Sequence, residues 1–219
     1  MYTETPNFLL YSVDGILYWK SFSRSEAIPC FQDEDGFIFS ADRKTLLCCS
    51  AADEREHYDI PEGTVEIDSE AFEFTYIRSI TLPSTLEIFR PCEAWEHIDI
   101  CHLKDIYVNG DNAHFTAVDG VLYSKDVTRL VYLPPWHVPD FGGTYTMPHT
   151  VKEVCDFAVW GTVNINKIFL SRSLEKLHMG LGWPESDYCT IFIPEGMPAA
   201  EEFMSNSYLA CRIYKEEEN

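Results

Sequence analysis

Apolar and polar residues alternate along short stretches of this chain, and turn residues interrupt the alternation at nearly regular intervals. Ser79–Leu82, Asp105–Val108, Lys167–Leu170 and Thr190–Ile193 each place two aliphatic residues two positions apart. That is the period of a strand burying one face. Turn residues mark the phase of the units, in the series Pro61, Pro83, Asn109, Pro148, Ser171 and Pro194. The intervals are 22, 26, 39, 23 and 23 residues, and the long one equals an ordinary unit plus about 16 residues. Helical periodicity is weak, while Pro, Thr, Ile and Tyr suit strands and turns.

Longer self-similarity reinforces the spacing. Tyr58 to Phe72 matches Tyr145 to Val159 at an offset of 87, through Tyr58/Tyr145, Ile60/Met147, Pro61/Pro148, Glu66/Glu153, Ile67/Val154 and Ala71/Ala158. Ile77 to Ile88 resembles Ile165 to Leu177. A second kind of repeat, V-D-G-V-L-Y-S-K-D-V-T-R-L-V-Y-L-P from Val118 to Pro134, is matched by Asp35 to Leu47 at an offset of 84, and Val13 to Tyr18 copies its start. Strand, polar turn and second strand make this a hairpin signature. One unit cannot bury Ile80, Leu82, Leu86 and Ile88 alone, but stacked neighbours can. Periods near 22–23 residues with short strands lie in the leucine-rich-repeat range.

The blocks I-P-E-G-T-V-E-I-D-S-E-A-F, S-I-T-L-P-S-T-L-E-I, L-K-D-I-Y-V and V-D-G-V-L-Y-S-K-D-V-T-R-L-V-Y-L-P, with the closing T-I-F-I-P-E-G-M-P-A-A-E-E-F, resemble the BspA-like leucine-rich repeat proteins of bacteria. The resemblance runs from about Asp35 to the carboxyl end. It implies a curved parallel-strand solenoid used for adhesion or protein binding, often at the cell surface and generally without enzymatic activity. The expected fold is therefore mainly β with short helical or 3-10 segments: a leucine-rich-repeat solenoid of about six turns with inserted β-hairpins. Residues 1–57 are expected to form a capping hairpin region. Residues 58–219 are expected to form the solenoid, with a hairpin insertion at 115–134 and a carboxyl-terminal cap. Short helical pieces are placed near Ser69–Phe72 and Pro198–Ser205.

Composition changes the picture mainly by exclusion. The 219 residues carry 16 Lys and Arg against 36 Asp and Glu, a formal charge of −20, so nucleic acid and anionic membrane surfaces are poor partners. The 46% hydrophobic and 14% aromatic content supports a core, so acidity does not signal disorder. No apolar run approaches the ~18 residues of a membrane span, and none is expected to insert. The amino terminus lacks a basic segment and a signal-type apolar run, which favours a cytoplasmic location. Cell-surface or secreted placement is the alternative if the native start lies upstream.

Little of the chain spells out reaction chemistry. The eight cysteines are scattered without a C-x-x-C, as buried thiols would be. Cys92, His97, Cys101 and His102 offer soft ligands, but their spacing fits no familiar zinc pattern, so packing is expected and no metal or other cofactor is assigned. Asp33-Glu34-Asp35-Gly36 reads as a solvated turn rather than a calcium loop, and Asp119-Gly120 as a tight turn. Nucleophile elbows, phosphate loops and H-E-x-x-H are absent from the sequence, so no catalytic residue is assigned.

The alternation itself yields the best candidates. If Ile80/Leu82, Ile106/Val108, Ile168/Leu170 and Ile191/Ile193 face the core, then Thr81, Tyr107, Phe169 and Phe192 face outward. Stacked strands would align them into a mostly aromatic stripe, which serves either as a contact surface or as rings shielding one another. Trp136, in the loop from Leu133 to Gly143, either joins that surface or covers the hairpin; Trp183 poses a weaker version of the same choice. The expected function is a non-catalytic protein-interaction or adhesion module, binding a protein partner with a basic or neutral surface. Carbohydrate binding by exposed aromatics is the alternative.

Overall fold

A computed structural model describes residues 2–4, 8–21, 24–49, 55–73, 75–91, 101–139, 142–177, 189–205 and 210–214. It opens with an antiparallel meander of β1 (Tyr2–Glu4), β2 (Phe8–Val13), β3 (Ile16–Ser21), β4 (Ile28–Gln32) and β5 (Ile38–Ser40), and β6 (Thr45–Cys48) completes a hairpin with β5. Then follow β7 (His57–Asp59), β8 (Glu66–Ile67), β9 (Ser79–Leu82), β10 (Ile88–Phe89) and β11 (Asp105–Val108). A second hairpin system, β12 (Phe115–Val118), β13 (Val121–Ser124) and β14 (Arg129–Tyr132), interrupts the series. The chain ends through β15 (Thr144–Thr146), β16 (Glu153–Val154), β17 (Lys167–Phe169), β18 (Lys176–Leu177), β19 (Thr190–Pro194), the short helix α1 (Ala200–Ser205) and β20 (Ala210–Tyr214).

The hairpin turns follow from their residues. Asp14-Gly15 and Asp119-Gly120 hold φ of 50 and 81°, and 50 and 80°, so both central positions are left-handed, as a two-residue hairpin turn with right-handed strand twist requires. The β5–β6 and β13–β14 turns share another device. Ser40 Oγ bonds Asp42 Oδ1 at 2.6 Å and accepts from Thr45 N at 2.9 Å; Ser124 does the same with Asp126 at 2.7 Å and Arg129 N at 2.9 Å. Arg43 and Val127 take the left-handed position in each.

From β6 onward the pairing between turns is parallel. Each turn contributes one strand to a ladder on one side (β7-β9-β11, later β15-β17-β19-β20) and one to a ladder on the other (β6-β8-β10, later β14-β16-β18). The structure is a β-solenoid of about six turns, and among the described residues its regular elements are strands apart from the short helix α1. All six phase-marking residues sit at the start of a reverse turn. The amides of Thr64, Leu86, Asn112, Val151, Leu174 and Met197 donate to the carbonyls of Pro61, Pro83, Asn109, Pro148, Ser171 and Pro194 respectively, at 2.9–3.3 Å. The amide-bearing residue is buried every time, so each turn closes by driving its fourth residue into the core.

Ile80, Leu82, Leu86, Ile106, Ile168 and Ile191 are wholly buried, within two main clusters that meet at Cys155. A third, smaller cluster gathers Phe8, Leu10, Trp19 and Leu47 under the meander. Parallel pairing begins at Thr45, upstream of residue 58, because β6 aligns with β8 through Thr45↔Glu66. Ser69–Phe72 forms turns rather than a helical piece, with Asp68 Oδ1 accepting from Glu70 N at 3.1 Å. Among the described residues, no helix is long and apolar enough to cross a membrane.

Two core positions generate tests. Asn112 stands where four of the other five turns place Leu, Val or Met, yet its amide donates to Pro83 O and Leu86 O and its Oδ1 accepts from His114 N and Phe115 N. Asn112→Ala strands four backbone groups and should cost about 2–4 kcal/mol in urea unfolding; a loss near zero would contradict this role. Glu73 has its carboxyl pushed up to about 7 by burial, then by Glu70 and Asp68. The neutral form stabilises the fold, so this contribution is complete below the unfolded value near 4.5 and is lost as pH rises through about 7. Discounted for partial exposure, Glu73→Gln should gain roughly 1–2 kcal/mol on the wild type between pH 5 and pH 8. A constant difference across that range would show that Glu73 is not buried among these acids.

Candidate functional site

Strand alternation places the side chains of β7, β9 and β11 in two outward rows. One row is His57–Ser79–Asp105 and the other Asp59–Thr81–Tyr107, set residue for residue by the parallel register. Tyr58, Ile80 and Ile106 point the other way into the core. His57 ties the rows together: Nδ1 lies 2.8 Å from Ser79 Oγ, and Nε2 lies 3.1 Å from Asp59 Oδ1 and 3.2 Å from Thr81 Oγ1. Hydrogen bonds from Thr81 and then His57 hold the Asp59 carboxyl below its ordinary value, so it is charged at neutral pH. Tyr107 is 52% exposed and meets the His57 ring at 6.1 Å, tilted by 58°.

Ser79, His57 and Asp59 have the residue types of a hydrolytic triad. The surface is an open sheet face, and the amides of Arg78 and Ser79 both donate to Glu56 O. These donors are therefore spent and cannot stabilise an oxyanion. The arrangement is a cross-strand polar ladder, which fixes side-chain positions on the sheet.

Phe169 and Phe192 form a separate row. They are opposed in register on β17 and β19, stacked at 4.5 Å with 9° between their planes, and Tyr214 of β20 meets both rings edge-on at 5.2 and 6.3 Å. Both phenylalanines are half-buried, and Thr146 and Arg212 complete the row. The four residues expected in one stripe therefore fall on two sheets: Thr81 and Tyr107 on one, Phe169 and Phe192 on the other. The break occurs at the 39-residue interval, where the chain leaves the ladder to build β12–β14.

Trp136 lies in that break. Its amide donates to Leu103 O at 3.0 Å, Val163 N donates to the adjacent Pro135 O at 2.9 Å, and Asn164 Nδ2 reaches Trp136 O at 3.1 Å. The loop thus bridges the two halves. The Trp136 ring stacks on His102 at 5.4 Å, and His102 stacks on Tyr76 at 5.3 Å, while His102 Nδ1 lies 2.8 Å from Thr75 O. Tyr76 is 64% exposed at the end of this column. The sequence pattern does not assign this column: Tyr76 and His102 share only their place four residues before a core isoleucine, Ile80 and Ile106.

The remaining candidates resolve locally. Asp33 Oδ1 accepts from Asp35 N and Phe37 N at 3.0 and 2.7 Å, so that carboxylate organises a turn. Cys101 is buried and its thiol is pushed up to about 11 by that burial. Cys92, His97 and Trp183 lie outside the described residues. Among the described residues, no group of three or more His, Cys, Asp or Glu side chains is placed to hold a metal ion.

Parallel strands at one per turn, turn closure at a constant phase and an aliphatic core shared between turns define the fold: a β-solenoid of stacked repeats. The chain is similar to a leucine-rich repeat protein from Eubacterium ventriosum, with a TM-score of 0.49 and 21% identity over 64% of this chain and 36% of that one. It is also similar to the pneumococcal vaccine antigen PcpA, with a TM-score of 0.34 and 17% identity over 77% of this chain and 66% of that one. This chain therefore spans about a third of the length of the Eubacterium protein. No protein-family model and no curated protein matches it.

Proposed function

We propose that the chain is a non-catalytic protein-interaction module that contacts its partner through the open face of β7, β9 and β11. The observation that carries this reading is Tyr107: a ring 52% exposed on a rigid sheet, beside polar side chains already fixed by one another. Exposed aromatics supply much of the energy at protein interfaces, and preordered polar neighbours lose little entropy on binding. The charged Asp59 beside it and the overall charge of −20 suit a partner with a basic or neutral surface. The stacked pair Phe169 and Phe192 is read as a structural element of the carboxyl-terminal ladder.

Carbohydrate binding is the second reading. It rests on the column of Tyr76, His102 and Trp136, whose outer ring offers a flat face of the kind sugars stack on. One experiment separates the two. Proteins captured from the source organism by the wild-type chain are compared with those captured by a Tyr107→Ala/Asp59→Ala variant, and both chains are run on a glycan array beside Tyr76→Ala. Tyr107→Ala should change stability by less than about 0.5 kcal/mol, as exposed sites do. A specific protein lost at least tenfold with the double variant supports the proposal. Equal recovery of every protein refutes it, and glycan binding abolished by Tyr76→Ala supports the second reading instead.

A further inference from the structure

Asn109-Gly110 is the one Asn-Gly pair in the sequence, and the fold sets it at a turn closure on which stacking depends. Asn109 N donates to Leu82 O on the neighbouring rung, and Asn109 O closes the turn by accepting from Asn112 N. Its side chain is held at both ends. Oδ1 accepts from Asp111 N at 3.2 Å, and Nδ2 donates to Glu62 Oε1, also at 3.2 Å. Glu62 in turn accepts from Ser84 N at 2.9 Å and from Ser84 Oγ at 2.8 Å. One carboxylate thus joins the turns that begin at Pro61, Pro83 and Asn109. The Ser84 amide and hydroxyl hold that carboxyl below its ordinary value, so it is charged at neutral pH. Asp111 and Lys125 bring further charge to the turn, Lys125 Nζ donating to Gly110 O at 3.2 Å.

The same geometry opens Asn109 to reaction with its own backbone. An Oδ1 bonded to the amide two residues on turns the carboxamide carbon toward the intervening peptide, that of Gly110. Among the described residues the Gly110 amide donates to no acceptor. No heavy atom beyond its chain neighbours lies within 4 Å of where a Cβ would stand. Without a side chain on Gly110, nothing blocks approach of its nitrogen to Asn109 Cγ. Both residues are exposed, so water and hydroxide reach them. The other described asparagines each lack a condition. Asn112 is buried with both ends bonded and precedes Ala113, while Asn164 and Asn166 precede Ile165 and Lys167. Asn166 is exposed like Asn109, so comparing the two isolates the effect of the glycine.

We propose that Asn109 is a site of spontaneous deamidation, a slow modification that loosens the stacking of the turns it joins. Gly110 N loses its proton to hydroxide and bonds to Asn109 Cγ; the Cγ–Nδ2 bond breaks and ammonia leaves. Water then opens the resulting succinimide at either carbonyl, giving aspartate or isoaspartate at this position. One water is consumed and one ammonia released, with nothing oxidised or reduced. Aspartate replaces the donor to Glu62 by a second carboxylate at hydrogen-bond range, so an attraction between turns becomes a repulsion. Isoaspartate adds a methylene to the backbone between the amide bonded to Leu82 O and the carbonyl bonded to Asn112 N, the contacts that set the phase of this turn. The site does not depend on the reading of the Tyr107 face.

The test incubates the full folded chain at pH 8 and samples it by tryptic digestion and mass spectrometry, with an unincubated sample as the blank. Fragment spectra of peptide 105–125 separate Asn109 from Asn112, and enzymatic methylation of isoaspartate identifies that product. The expected result is conversion of amide to acid at Asn109 at least tenfold faster than at Asn166, and slowed at least tenfold by Gly110→Ala. That variant should fold, because Gly110 does not hold a positive φ and has room for a Cβ. Asn109→Asp supplies one product at once; it should unfold at lower urea than the wild type, and Glu62→Gln should remove at least half of that shift. Conversion of Asn109 no faster than that of Asn166, or unchanged by Gly110→Ala, overturns the proposal. So does conversion seen only when urea unfolds the chain, which would mean that the turn protects the residue. An Asn109→Asp variant as stable as the wild type overturns the loosening.

Discussion

No turn of this chain can bury its own aliphatic residues, and that constraint organises everything else. Ile80 is covered because Tyr58 and Ile106 lie in register beside it, one rung to either side. Stacking requires each turn to return the chain to the same phase. The six reverse turns at Pro61, Pro83, Asn109, Pro148, Ser171 and Pro194 provide that return. Stability in such an array is a sum of rung-to-rung interfaces rather than the property of one central core. Asn112 Nδ2 ties its turn to the preceding one through Pro83 O and Leu86 O, while its Oδ1 accepts from His114 N and Phe115 N within its own.

The acidic surface follows the same rungs. Arg90 pairs with Glu66, Arg129 with Glu153 and Lys152 with Glu175, each cation reaching a carboxylate one turn away. These pairs are largely exposed and contribute little individually. They place the few cations beside carboxylates on adjacent rungs, where repulsion among stacked acids would otherwise accumulate. The outer face thus stays charged and hydrated while the inner face stays aliphatic.

Much of the fold was legible because its signals are local. Alternation identified Ile80, Leu82, Ile106 and Ile168 as inward-facing, and Asp-Gly pairs marked tight hairpins. What spacing could not convey is how the chain leaves the ladder within the 39-residue interval. Tyr107 and Phe169 occupy equivalent positions in their own units, so a pattern reading aligns them; only the path through β12–β14 separates their sheets. The stacking of Trp136 on His102 depends on a loop closing onto Leu103, a contact between segments with no shared period. The offset repeats revealed that the halves were similar, but not that the antiparallel meander extends the sheet of the first half alone.

The central claim is that neighbouring rungs hold one another in place. Native-state hydrogen exchange, followed amide by amide, tests it directly. The amides of β8, β9, β16 and β17, which have paired strands on both sides, should exchange last, and those of β1 and β20 at the ladder ends first, with protection falling from rung to rung. Uniform protection along the chain, or earliest exchange in the interior rungs, would contradict a structure stabilised by stacking between turns.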